Sequence, residues 1–258
     1  MKRIYTAVFI ITIIVLSLFL VSCCTASQGG PTISAGSSAD APAETQANVP
    51  EKTEQADKVT YTDNKNAVYY TSVGERYETF DSQEALSEVS DNILTGECVS
   101  SESFFREHGF KYTVSEVLVS ENYKGDIEPG STIKVVEFGG TYTAEEFIEA
   151  SGIKEKDFYD EAAVSDGDAT VVCGMDGFFP MNKGENVLLF LAAPGSYDDI
   201  ENVYGVMGSS DGKLYKISDS KYARPNPENV EGGFSASYSM QAAIDNSDLI
   251  IDVGDLKK

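Results

Sequence analysis

The sequence has no tryptophan, one histidine (His108) and four cysteines, and its 19 Lys and Arg are outnumbered by 42 Asp and Glu. Each shortage closes a class of function. A Ser-His-Asp hydrolase would have to use His108, which sits in the loop-like stretch "REHGF", where a lone histidine is solvated. H-E-x-x-H does not occur. Zinc held by Cys and His needs about four ligands, and beyond the N-terminal region only Cys98, Cys173 and His108 remain. A formal charge of −23 opposes nucleic acid or anionic lipid as a partner, because both need a basic face. Gly139-Gly140 and Gly232-Gly233 read as turns, and there is no phosphate-binding loop. No internal repeat is visible. No catalytic set, no metal site and no cofactor are therefore expected.

What is present begins with Met1-Lys2-Arg3, a short cationic start, followed by an apolar run from Ala7 to Val21 broken only by Thr12 and Ser17. That is the n-region and h-region of an export signal, and it is shorter than the roughly 20 residues of a spanning helix. Leu20-Val21-Ser22-Cys23 follows and resembles the lipobox of bacterial lipoproteins. The resemblance implies cleavage before Cys23 and acylation of its thiol, including a palmitate-like chain. Choosing Cys24 would put Cys23 where a small residue is preferred, so Cys23 is the expected lipidation site. Two acyl chains give stable attachment where one gives marginal binding. The resulting organisation is a signal peptide over 1–22, a Ser/Ala/Pro-rich disordered tether over 23–60 and one folded domain over 61–258. The tether has almost no large apolar residues, so it cannot offset its ordering entropy. The expected location is the outer face of the cytoplasmic membrane.

Within the folded part, Asp81-Ser82-Gln83-Glu84 reads as a helix start with Asp81 as N-cap, and Thr143-Ala144-Glu145-Glu146 as a capping box with Gly152 as the stop. Between Phe110 and Ser120, Phe110, Tyr112 and Val114 alternate with polar residues, and Val117 and Val119 then resume out of phase. That predicts a β-bulge or sharp bend near Ser115-Glu116. The run Ile133, Val135, Val136, Phe138 carries a second phase slip. "ATVVCGM" and "ENVLLFLA" read as buried strands, and Asp211-Gly212 as a turn between two more. Short, bent strands with one inserted helix predict a mainly β fold: a small antiparallel OB-like barrel with one or two short inserted or flanking helices and a C-terminal extension.

The segments "SDNILTGECVSS", "YTVSEVLVSENYKGD", "PGSTIKVVEFGG" and "FFPMNKGENVLLFL" occur in that order over about residues 86–217. They resemble a class of uncharacterised clostridial and bacillar exported proteins, and their layout is similar to the OB barrel of netrin modules and metalloproteinase inhibitors. Val187 stands where the last motif usually has Tyr. Those inhibitors chelate zinc through a free N-terminal cysteine. The matching residue here is Cys23, which the lipobox reading acylates, so only the scaffold carries over.

Three further groups are candidates. Cys98 and Cys173 either form a disulfide, which export permits, or sit as two buried thiols. Asp166-Gly167-Asp168 and Asp198-Asp199 with Glu201 lack EF-hand spacing and read as solvated loops. Asp166 and Asp168 are nonetheless the acid and base of an alternative reading, a cell-envelope glycan hydrolase. Tyr69, Tyr70, Tyr77, Tyr142 and Tyr159 lie among polar neighbours and are the candidate binding patch for a sugar or peptide. The leading expectation is a membrane-anchored, non-enzymatic module that binds a protein or cell-wall component. Replacing Cys23 with serine should abolish palmitate incorporation and move the protein from the membrane to the soluble fraction; unchanged fractionation would remove the anchor.

Overall fold

The computed structural model describes residues 59, 61, 67–74, 78–105, 111–163, 169–227, 232–235 and 238–257. The signal region, Cys23 and all of the tether except Val59 lie outside the described residues. In chain order the elements are β1 (Ala67–Ser72), α1 (Gln83–Val89), β2 (Asn92–Phe105), β3 (Lys111–Lys124), β4 (Thr132–Phe138) and β5 (Gly140–Thr143). Two helices follow, α2 (Ala144–Ser151) and α3 (Glu155–Ala162), and then β6 (Thr170–Met175), β7 (Asn186–Leu191), β8 (Gly195–Tyr197) and β9 (Ile200–Gly205). The chain continues with β10 (Lys213–Lys216), β11 (Lys221–Ala223), β12 (Gly233–Ser235), α4 (Met240–Asp245) and β13 (Ile250–Asp252), and a 3-10 turn over Val253–Lys257.

The fold is mainly β, and both of its sheets are mixed. Four strands are ordered β12-β1-β6-β5, with β1 parallel to β6. Nine are ordered β13-β11-β10-β7-β2-β3-β4-β9-β8, with β4 parallel to β9. The nine-stranded sheet has two ends, β13 and β8, where the sequence predicted a small antiparallel OB-like barrel. No helix among the described residues is long and apolar enough to cross a membrane.

The expected bulge exists, but on the facing strand. Cys98 pairs with Val117 and Ser100 with Glu116, which leaves Val99 of β2 as the extra residue. β3 pairs regularly with β4 from Tyr112↔Phe138 to Leu118↔Thr132. Its inward row is Thr113, Ser115, Val117 and Val119, all buried. The inward face never changes; its first half carries hydroxyls, which an apolar-pattern reading assigns to the outside. The same holds in β4. Ile133, Val135 and Glu137 share one buried row, and Phe138 on the other face is 46% exposed. There is no phase slip, because a buried carboxylate occupies the inward position.

Capping chemistry fixes the helices. Ser82, not Asp81, caps α1: its hydroxyl accepts from the Ala85 N–H at 3.2 Å. α2 has the expected capping box between Thr143 and Glu146, and Gly152 ends it at φ 69°. α3 was not foreseen, because its charged sequence "EKDFYDEA" buries only Phe158 and Ala162. Both residues join Phe147, Val68, Tyr142 and Val171 in a core between α2, α3 and the four-stranded sheet. A second core, with Leu94, Val117, Val135, Leu189 and Tyr215, fills the inner face of the nine-stranded sheet. A third packs Leu86 of α1 on its other side against Leu188, Phe190 and Leu214.

The chain passes from one sheet to the other at Gly139. Its φ is +100°, and a Cβ there would lie 2.2 Å from the Cys173 carbonyl oxygen. Gly130 also has positive φ, +84°, but a Cβ there would meet nothing within 4 Å. Gly139→Ala should therefore destabilise by clearly more than the roughly 1–3 kcal/mol of the backbone conformation alone, and Gly130→Ala by no more than that. Urea denaturation of the two variants measures the difference.

Candidate functional site

Adjacent strand residues face opposite sides of a sheet, and β1 divides the tyrosine candidates accordingly. Tyr70 faces the helices, 5.3 Å from the Phe147 ring and 4.9 Å from the Phe234 ring. On that side Tyr142 is 5% exposed and donates to the Phe104 carbonyl at 3.1 Å, and Tyr159 packs edge-on against Phe158 at 5.1 Å. Burial raises the Tyr142 pKa. Tyr142 belongs to the core, and Tyr70 and Tyr159 are half-buried against it. Tyr69 faces the other way, with its ring centroid 5.2 Å from Phe179 and 5.0 Å from Tyr238, and those two rings are 4.5 Å apart. Tyr77, His108, Asp166 and Asp168 lie outside the described residues.

The Tyr69–Phe179–Tyr238 cluster is one wall of a cleft of about 460 Å³. Tyr61 and Met240 extend the wall, and Thr141, Asn182, Lys183, Glu185, Asn186 and Lys216 supply the polar lining. Tyr61 is held by its hydroxyl, which donates to the Lys216 carbonyl at 2.8 Å, and by its N–H, which donates to Gln241 Oε1 at 3.0 Å. Burial pushes its phenol pKa up.

Phe179 to Glu185 come from the segment between β6 and β7, Asn186 opens β7, and two buried charges hold that segment. Glu137 Oε2 accepts from the Met181 N–H at 3.0 Å, and Lys213 Nζ donates both to Glu137 Oε1 and to the Phe179 carbonyl. The side chains of the pair are 3% and 4% exposed. Further along, Gly184 N–H donates to the Cys98 carbonyl at 2.7 Å and Cys98 N–H to the Glu185 carbonyl at 2.9 Å. Glu185 closes the turn by accepting from Asn182 N–H at 2.8 Å and from Asn182 Nδ2 at 3.2 Å. Burial raises the Glu185 pKa, against the lowering effect of those hydrogen bonds.

A second set of charges does structural work. Arg224 grips Asp248 through Nε and Nη2 at 3.1 and 2.9 Å and donates to the Phe80 carbonyl, while Asp211 accepts from Phe80 N–H at 3.0 Å. These bonds pin the turn before β10 and the segment ahead of α1 to the chain after β11. Asp198 and Asp199 form the β8–β9 turn, and among the described residues no His/Cys/Asp/Glu group could hold a metal ion. Cys98 and Cys173 are free, buried thiols in different cores. Burial pushes Cys98 up to about 11 and Cys173 up to about 12, so neither is a ready nucleophile.

Of the tyrosine candidates among the described residues, only Tyr69 lines the cleft. Reading the sequence missed Tyr61, Phe179, Tyr238, Glu137 and Lys213. The one available signal was Glu137, a carboxylate inside the apolar run "IKVVEF". No family model matches the chain, and no curated protein matches it.

Glu137→Ala, which strands the Lys213 ammonium in the core, should cost about 3–5 kcal/mol; Glu137→Leu combined with Lys213→Met should cost less, because it leaves the Met181 N–H and the Phe179 carbonyl unpaired but no charge. Chemical denaturation of the three proteins checks this. For Glu185 the folded pKa lies above the unfolded one, so the folded state binds more protons and stability falls as pH rises from about 4.5 through the folded value. Glu185→Gln should flatten that fall, measured as Tm against pH.

Proposed function

We propose that this chain is an exported lipoprotein, anchored through Cys23, whose folded part is a non-enzymatic module that binds a protein or cell-envelope component in the aromatic cleft. One observation carries the reading. The cleft joins a preformed ring wall to convergent polar side chains, the composition of a ligand site, and its supporting segment is fixed at both ends by buried hydrogen bonds. The anchor-and-tether sequence supports a role at the outer membrane face. Aromatic rings supply much contact area at low entropic cost, which suits recognition better than bond-making.

The OB-like reading of the domain belongs to the same proposal. β2, β3 and β4 form a meander, β2 is antiparallel to β7, and β4 is parallel to β9. The ends of β7 and β9 are linked by the Leu191↔Val206 bridge and by Ala192 N–H to Gly205 O and Met207 N–H to Phe190 O, each 3.0 Å. α2 and α3 lie between β4 and β7 in the chain. This favours a partly open five-stranded Greek-key arrangement, with β10, β11 and β13 added at one edge and β5 and β6 of the four-stranded sheet inserted after β4.

The test is binding of the purified domain to isolated cell-envelope material. Tyr238→Ala, which removes a half-buried ring without touching the buried ion pair, should reduce binding about tenfold or more, the loss of one or two aromatic contacts. Thermal unfolding should stay cooperative. Unchanged binding by the folded variant would move the site away from the cleft.

A further inference from the structure

The cleft is also where unpaired cations gather on a strongly acidic molecule. Lys183 and Lys216 both line it. Of the other lysines among the described residues, Lys213 pairs with Glu137, Lys156 with Asp160 and Lys257 with Glu121 at 2.8 Å, and Lys124 donates to the Ser87 carbonyl at 2.7 Å, while Lys134, Lys154 and Lys221, which do not line the cleft, make no ion pair or side-chain hydrogen bond. Neither Lys183 Nζ nor Lys216 Nζ has a hydrogen bond or ion pair among the described residues. The one carboxylate in the lining, Glu185, spends both oxygens on Asn182 in its own turn. Among the described residues the lining therefore sets two lysines against one carboxylate, on a chain whose formal charge is −23.

The rest of the lining narrows the ligand. Tyr61 and Tyr238 are half-buried and leave ring surface open to the cleft, and Thr141, Asn182 and Asn186 are exposed at its mouth. Ring surface beside side-chain amides and a hydroxyl matches a polyol ring: its C–H face lies on the aromatics and its hydroxyls exchange hydrogen bonds with the amides. The Asn182 and Asn186 amino groups each already donate once, to Glu185 and to the Gly184 carbonyl, so a purely apolar side chain would leave their oxygens and the Thr141 hydroxyl unused, and a neutral sugar would leave the two lysines without a partner.

We propose that the cleft takes an anionic sugar, with the hexose ring on the aromatic wall and its carboxylate or phosphate met by Lys183 and Lys216. This rests on the cleft being the binding site, and it adds the chemical class of the ligand. Lysine meets such a group as a point charge, through charge-assisted hydrogen bonds that strengthen as water is excluded.

Titration of the folded domain with glucose, glucuronic acid and glucose 6-phosphate, followed by NMR on the Asn182 and Asn186 side-chain amides, tests it. Both acidic sugars should bind about tenfold or more tightly than glucose, the worth of one charge-assisted contact. The acid preference should weaken with added salt, and Lys183→Gln with Lys216→Gln should bring the three sugars level without unfolding the exposed lining. Preference for only one of the two acids would support the proposal and identify the anionic group. Equal binding of all three sugars by the unaltered domain would overturn the charge selection and leave the cleft as a site. Binding of none of them, while envelope material still binds in a Tyr238-dependent way, would overturn the sugar class alone. If Tyr238→Ala also left envelope binding unchanged, the cleft itself would fall. Binding of an aromatic peptide in place of every sugar would assign a protein partner and overturn the proposal.

Discussion

The fold is organised around an ion pair that by itself is costly. Taking Glu137 and Lys213 out of water carries a desolvation penalty of several kcal/mol per ion, and both are almost fully buried. What offsets it is that each charge also satisfies a main-chain group that would otherwise be stranded, Met181 N–H in one case and the Phe179 carbonyl in the other. The pair joins β4 to β10, strands with three others between them in the sheet order, and fastens the β6–β7 segment across the gap. Without it the backbone from Phe179 to Met181 would have no regular structure to lean on, and the ring wall of the cleft would lose its seat.

Much of the strand and helix pattern was legible, and the failures share a cause. The capping box at Thr143, the Gly152 stop and the strands around Val171 and Leu188 follow from local chemistry. In β3 and β4 the apolar alternation misled, because Thr113, Ser115 and Glu137 are polar residues in inward rows. Their partners, Gly139 O for Thr113 and Lys213 for Glu137, are distant in sequence. No local pattern announces such pairing. α3 was hidden for the opposite reason: a surface helix needs only two apolar residues when two others already cover the sheet. Closure of the barrel is a property of which strand ends meet, and the nine-stranded order leaves β13 and β8 as ends.

The candidate site was legible in kind but not in place. Tyrosines amid polar residues mark amphipathic surface, yet parity along β1 sends Tyr69 to the cleft and Tyr70 to the core. The cleft draws on Tyr61, the β6–β7 segment, β10 and the residues leading into α4, an assembly that only the tertiary fold creates. Acidity, read from composition as opposing nucleic acid and anionic lipid, takes on a second meaning there. On a molecule with so few cations, two lysines without partners in one concavity make a local inversion of sign, and sign is what an approaching solute feels first.

The position of β1 has a mechanical consequence. It is an inner strand of the four-stranded sheet, flanked by β6 through six residue pairs and by β12 through three. Ahead of it, Val59 N–H bonds Ile217 O and Tyr61 bonds Lys216 O. Tension arriving from the N-terminal side would pull first on these clasps and then along the axis of β1. There the ladders on its two flanks are strained in shear and resist together, whereas a strand at a sheet margin would unzip bond by bond.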